Sequence, residues 1–203
     1  MIAAIDPNTT FDDLEDTNDF TREAMLADPD AADLVHHTDD WDHGIAPLRE
    51  KARTNRRQRT RVDARWRVFN GRLDWVMLIF GDDLLTFVKK IRTHPKWLKF
   101  FPEAPSRFVR GPLDEQARAA KVWVADPDPV LDPHRAELDR WATAAEGVVQ
   151  DDRATRLATA DLHEARAAYA AELTRKRRAL HRLLAARADE RDLAPSWADS
   201  FFR

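Results

Sequence analysis

Apolar side chains recur at steps of three and four from Val62 through Trp66, Phe69, Leu73, Val76, Phe80, Leu84 and Phe87 to Ile91. A stripe of that period commits the segment to a helix with one buried face, because 3.6 residues per turn bring those positions into line. Trp41, Ile45 and Leu48 begin the same pattern upstream. In the second half Leu138, Trp141, Ala145 and Val148, then Leu162, Tyr169, Leu173, Leu180 and Leu184, follow it again. β-Branched residues nowhere alternate with polar ones for long enough to make a strand. The expected fold class is therefore all-α.

The two stripes lie 100 residues apart and share residues at that offset: Asp39/Asp139, Trp41/Trp141, Arg53/Arg153, Arg56/Arg156, Leu73/Leu173, Leu84/Leu184, Pro95/Pro195, Trp97/Trp197 and Phe101/Phe201. Trp is rare, and Pro-x-Trp-x-x-x-Phe recurs where each long helix should end, so the spacing reads as an internal repeat. Ala-Asp-Pro-Asp also occurs twice, at Ala27 to Asp30 and at Ala125 to Asp128. The repeat predicts Trp41 and Trp141, and likewise Trp97 and Trp197, in equivalent positions.

Each stripe lapses where Asn55 and Arg59, or Asp152, Thr155 and Thr159, occupy inner positions. Charged residues are not found mid-core unless paired. A turn between antiparallel helices near 53–60 and 150–160 accounts for the lapse, although no Gly or Pro marks it; the other reading is one long helix per copy. Two such hairpins give a four-helix-bundle-like fold. Short aromatic segments opened by Pro95 and Pro195 close its ends. Thr10 reads as the cap of a short N-terminal helix with Asp12 and Asp13 in its first turn. The expected layout is an acidic N-terminal segment over 1–30, a hairpin repeat over 31–101, a Pro-rich connection with a short helix over 102–130, and a second repeat over 131–203, all in one compact domain.

Little in the chain points to catalysis. The five glycines are scattered and form no phosphate-binding loop. There is no Cys, which removes disulfides, thiolate nucleophiles and Cys-based zinc sites and suits a cytoplasmic protein. Met1 to Asp6 lacks the basic-then-apolar pattern of a secretory signal. The longest apolar run, Trp75 to Phe80, falls far short of the about 20 residues a membrane span needs. The serines lack nucleophile-elbow glycines. Asp161, His163 and Glu164 point to different helix faces, which argues against an acid and base pair aimed at one substrate. No catalytic or cofactor-binding residue is expected, and no cofactor.

Three features could serve binding. On a helix His36, Asp40 and His43 share a face and could hold a metal ion, although an acidic first turn in water is the ordinary reading of such a cluster. Residues 1–46 carry thirteen acids and one base, and residues 47–67 carry nine bases and two acids. The basic helix 49–67, through Arg53, Arg56, Arg57 and Arg61, could neutralise phosphates of a nucleic acid; the competing reading is neutralisation of the acidic segment before it. Finally, Trp75, Leu78 and Leu85 form a second apolar stripe where the other copy has Arg175, Arg178 and Ala185. A helix apolar on two faces is covered by something. The cover is either the N-terminal helix, through Phe11, Leu14, Phe20 and Met25, or another subunit. The expected function is a non-catalytic helical assembly or protein-interaction protein that binds itself or another protein through Trp75, Leu78 and Leu85. Nucleic-acid binding and a metal-dependent bundle are the alternatives.

Overall fold

The computed structural model describes residues 2–203, which are all-helical with no strand among them. The α-helices are α1 (Phe11–Ala27), α2 (Ile45–Phe87), α3 (Pro95–Phe100), α4 (Pro105–Phe108), α5 (Leu113–Ala125) and α6 (Arg135–Glu190). Short 3-10 helices span Ala32–Thr38, Pro129–Leu131 and Trp197–Phe201. The chain forms two compact units. Unit 1 takes residues 2–56 and 157–203, and unit 2 takes 57–156, so the division runs through both long helices and not through the Pro-rich 102–130 connection.

Local chemistry explains where the helices begin and end. The Thr10 hydroxyl accepts the Asp13 N–H at 3.1 Å, which caps α1. Ala-Asp-Pro-Asp ends α1 at Ala27 and α5 at Ala125, since proline cannot continue the helix ladder. Both long helices stop on left-handed residues that are not glycine: Lys89 and Lys90 (φ 55° and 65°) after α2, and Asp192 (φ 53°) after α6. There the Lys90 N–H reaches back to Leu85 O at 2.8 Å, and Leu193 N–H to Ala188 O at 2.9 Å, which satisfies otherwise orphaned carbonyls. Pro95 opens α3, with His94 Nδ1 accepting the Lys96 N–H at 3.1 Å.

The turns expected near 53–60 and 150–160 are not formed, because α2 and α6 run unbroken through both stretches. The inner polar residues find partners across to the other long helix and along their own, without leaving the helix. In unit 1, Asn55 Nδ2 donates to Ala158 O at 2.8 Å. In unit 2, Arg59 and Arg156 hold the buried Asp152 carboxylate at 2.8 and 2.7 Å, and Arg65 pairs with Asp151. A buried charge is tolerated when it is paired, so the lapse in the stripe marks a cross-helix pairing layer and not a chain reversal.

Unit 2 has an aromatic core. Phe80 is fully buried, with the rings of Phe100, Phe101, Trp123 and His134 at 5.3 to 5.7 Å from its own. Each such ring pair adds about 0.5 to 1.5 kcal/mol beyond the area it buries. Around it pack Leu73, Val76, Met77 and Leu84 of α2 with Leu138, Ala142 and Ala145 of α6.

Unit 1 has fewer rings at its centre. Leu14 and Met25 of α1, Trp41, Ile45, and Leu173, Leu180 and Leu184 of α6 form its core, with Phe201 from the terminal 3-10 helix. Asn18, Thr21, Thr38, Thr174 and Arg177 are buried among them. α1 therefore spends its apolar face at home: Leu14 and Met25 are buried there, Phe11 packs against the same core, and Arg203 covers the Phe20 ring at 4.1 Å. These contacts of α1 lie within unit 1.

Burial follows the 100-residue offset along the long helices. Val62 and Leu162, Leu73 and Leu173, Phe80 and Leu180, Leu84 and Leu184, Val88 and Ala188, and Phe101 and Phe201 are buried in both members of each pair. Trp41 and Trp141 depart from it. Trp41 is fully buried in the turn before α2, whereas Trp141 is partly buried inside α6, which starts earlier in this register. At Trp41 the chain is shaped by Tyr169, whose hydroxyl donates to Trp41 O at 2.6 Å.

Candidate functional site

The second apolar stripe of α2 lies in unit 2. Trp75 is 55% exposed and Leu78 38%. Leu85, expected to continue them, packs against the unit 2 core instead. Its place in the exposed row is taken upstream by Val68, also 55% exposed, and by Gly71. Positions 68, 71, 75 and 78 step by three and four and so share one face. Val68, Gly71, Arg72 and Trp75 line a shallow groove of about 470 Å³. A Cβ at Gly71 would meet nothing within 4 Å, so no contact inside the chain requires glycine there. Glycine in a helix interior costs about 1 kcal/mol against alanine. The helical spacing of Val68 with Trp75, and a glycine in mid-helix, were the signals that a reading confined to the largest side chains passes over.

The four arginines of the basic segment are all exposed, Arg53 and Arg56 in unit 1 and Arg57 and Arg61 in unit 2. Of the acidic N-terminal segment, Asp12 and Glu15 pair with Arg49 at the start of the basic segment, at 2.7 and 2.8 Å. Asp30, Asp33 and Asp40 pair with α6, where Lys176 binds Asp40 at 2.7 Å, Arg187 binds Asp33, and Arg191 binds Asp30. The hydrogen bond from Arg187 holds the Asp33 carboxyl below the ordinary carboxylate range, and that from Lys176 does the same for Asp40.

His36, Asp40 and His43 do not share a helix face. His36 lies in the 3-10 helix Ala32–Thr38, and Asp40 and His43 follow it in turns. Among the described residues no group of three His, Asp or Glu side chains is placed to hold a metal ion. His36 Nδ1 is 2.8 Å from Asp33 O, and Asp40 is taken by Lys176. At the end of this stretch Gly44 passes against Tyr169, where a Cβ would stand 2.6 Å from the ring.

The same turn borders a cavity of about 260 Å³ in unit 1, lined by Asp40, Trp41, His43, Gly44, Tyr169 and Lys176 among others. Burial pushes the Tyr169 hydroxyl up to about 12. The hydrogen bond to Asp40 pushes Lys176 up as well. Both therefore stay protonated near neutral pH, which suits holding the turn in place and not proton transfer.

No helix among the described residues is long and apolar enough to cross a membrane. Comparisons with protein-family models, curated proteins and solved structures return no match.

Proposed function

We propose that this chain is a non-catalytic helical assembly protein of the cytoplasm that self-associates through the exposed face of α2 in unit 2, with Trp75 and Leu78 as its anchors and Leu85 at the edge of the core beneath. The carrying observation is the exposure of Trp75, Leu78 and Val68 in one row. Removing a large apolar side chain from water is worth roughly 1.5 to 3 kcal/mol, so three in a row are enough to decide association. Gly71, in the middle of that row, lets a partner backbone come close. The matched burial at 100-residue spacing supports an internal duplication, in which each unit combines the start of one copy with the end of the other. Sedimentation velocity tests the reading. The wild type should sediment as an assembly at micromolar concentration, and Leu78→Arg should dissociate it with helical content unchanged. A monomeric wild type removes the proposal.

A second reading, nucleic-acid binding, is favoured by one observation. Among the described residues Arg53, Arg57 and Arg61 make no ion pair, and of the basic segment Arg49 is the residue that pairs with the acidic segment, through Asp12 and Glu15. Gel shift at ~50 mM salt decides it, since phosphate contacts are strong there. Changing Arg53, Arg56, Arg57 and Arg61 to Gln should abolish any shift, and no shift by the wild type ends this reading.

A further inference from the structure

At the offset that relates the two long helices, the exposed row of α2 has a counterpart on α6 that is exposed at the same positions and opposite in chemistry. Val68, Gly71, Trp75, Leu78 and Asp82 correspond to Ala168, Ala171, Arg175, Arg178 and Arg182, and all ten are solvent-facing. The α6 row lies in unit 1, where Arg175, Arg178 and Arg182 border a second shallow groove of about 470 Å³ together with Ala179. Nothing in the chain uses these cations: among the described residues Arg175, Arg178 and Arg182 make no ion pair, although Lys176 and Arg177 beside them are engaged. Asp82 on the α2 row is likewise without an ion-pair partner among the described residues, while its neighbour Asp83 faces His134 at 3.0 Å.

We propose that the face on which Trp75 and Leu78 dock is the Arg175, Arg178 and Arg182 face of a second copy of this chain. The inference rests on the self-association reading and names its partner surface. Three pairings of faces are available. Basic against basic sets three arginines against three and is repulsive. Apolar against apolar covers Trp75 but leaves the arginines unused. Cross-pairing gives each group a partner. A guanidinium stacks on the Trp75 indole, the aromatic that binds cations best. The Asp82 carboxylate accepts from another arginine in a charge-assisted pair. The small side chains Ala168, Ala171 and Ala179 leave room for Trp75 and Leu78, and the long arginine stems cover apolar surface while their heads reach the rim.

The test is complementation between two defective variants of the full chain, read by sedimentation velocity at micromolar concentration with circular dichroism as the control for folding. Leu78→Arg disables the apolar face, and the double change Arg175→Glu with Arg178→Glu disables the basic one. Each variant alone should lose the assembled species. An equal mixture should regain a two-copy species, because it brings one intact face of each kind together. Trp75→Ala replaces Leu78→Arg should the latter fold poorly. If the double variant assembles like the wild type, or if both variants are monomeric and mixing restores nothing, the partner face is wrong while self-association through α2 stands. A monomeric wild type overturns both. An assembly that nuclease treatment abolishes assigns the arginines to nucleic acid and overturns the proposal.

Discussion

Units 1 and 2 are built around cores of different material. In unit 2 a cluster of rings surrounds Phe80, whereas the matching position in unit 1 is Leu180, among aliphatic side chains and buried polar groups. At the periphery of unit 1, Asp30, Asp33 and Asp40 are tied to Arg191, Arg187 and Lys176 of α6. Unit 2 carries ion pairs of its own, Lys96 with Asp128, Lys99 with Asp126 and Lys121 with Asp139 among them, and has the ring cluster besides. Unit 2 should therefore be the more resistant of the two.

The largest effect expected from this difference is in the ring cluster. Phe80→Ala should destabilise unit 2 by about 3 to 5 kcal/mol, and Leu180→Ala should cost unit 1 about 2 to 5 kcal/mol. Hydrogen exchange followed segment by segment reads the two separately. Phe80→Ala should collapse protection in α5 and the first part of α6 before it touches α1. Equal loss in both units would show that the chain unfolds as one body and would erase the distinction.

Glycines sharpen the comparison at a smaller scale. Gly44→Ala in unit 1 drives a Cβ into the Tyr169 ring and should cost about 1 to 3 kcal/mol, with loss of the bond from Tyr169 to Trp41 O. Gly71→Ala in unit 2 meets no atom of its own chain and should stabilise the unassembled chain by up to about 1 kcal/mol. Chemical denaturation of the two variants checks the opposite signs. The sole tyrosine adds a spectroscopic reading, since its phenolate should appear near 12 in the wild type and near its ordinary value once Gly44→Ala opens the site.

Acid provides the smallest and most discriminating effect. Asp33 and Asp40 are held low by Arg187 and Lys176, so their stabilisation is present above the ordinary carboxylate value and is lost as pH falls through their lowered ones. Asp126 of unit 2 behaves alike, through its hydrogen bond from Lys99. Asp74 of unit 2 runs the other way. Burial pushes its carboxyl up, so stability is greatest with the proton on and is lost as pH rises through the raised value. Its Oδ1 and the Oε1 of Gln116 are buried without partners, while the Gln116 amide hydrogens go to Val109 O and Gly111 O at 3.0 and 2.9 Å. A proton on Asp74 supplies the donor these oxygens lack. Asp74→Asn should therefore stabilise unit 2 at neutral pH and lose that advantage in acid; a gain that persists at low pH would refute the assignment. Denaturant midpoints across pH measure it.

How much of this was readable beforehand depends on whether a residue's partner lies on its own helix. The stripes from Val62 and Leu162 onward report a periodicity internal to one segment, and the helices follow from them. Asn55, Arg59 and Asp152 misled because each also has a partner about a hundred residues away, and without sight of the other helix a polar inner position looks like a chain reversal. The helical face of His36, Asp40 and His43 failed for a related reason: the contacts of that segment, Asp40 with Lys176 and Trp41 with Tyr169, lie far along the chain. Among candidate interface residues Trp75 and Leu78 stand exposed, but Leu85 differs, since spacing alone does not say where a core ends.

Unit 2 is one continuous piece of chain, and unit 1 is made of the two pieces on either side of it. During synthesis, therefore, residues 57–156 are complete while the first fifty-six still wait for Leu157 and beyond. Unit 2 can condense first from contacts within about a hundred residues, and in doing so it closes the loop that separates the two parts of unit 1. The closure entropy, which rises only slowly with loop length, is then already spent when α1 meets the end of α6. Until that moment Leu14 and Met25 have no core to join, so the newly made amino-terminal segment, with its many acids, depends on its own charge to stay apart from its neighbours.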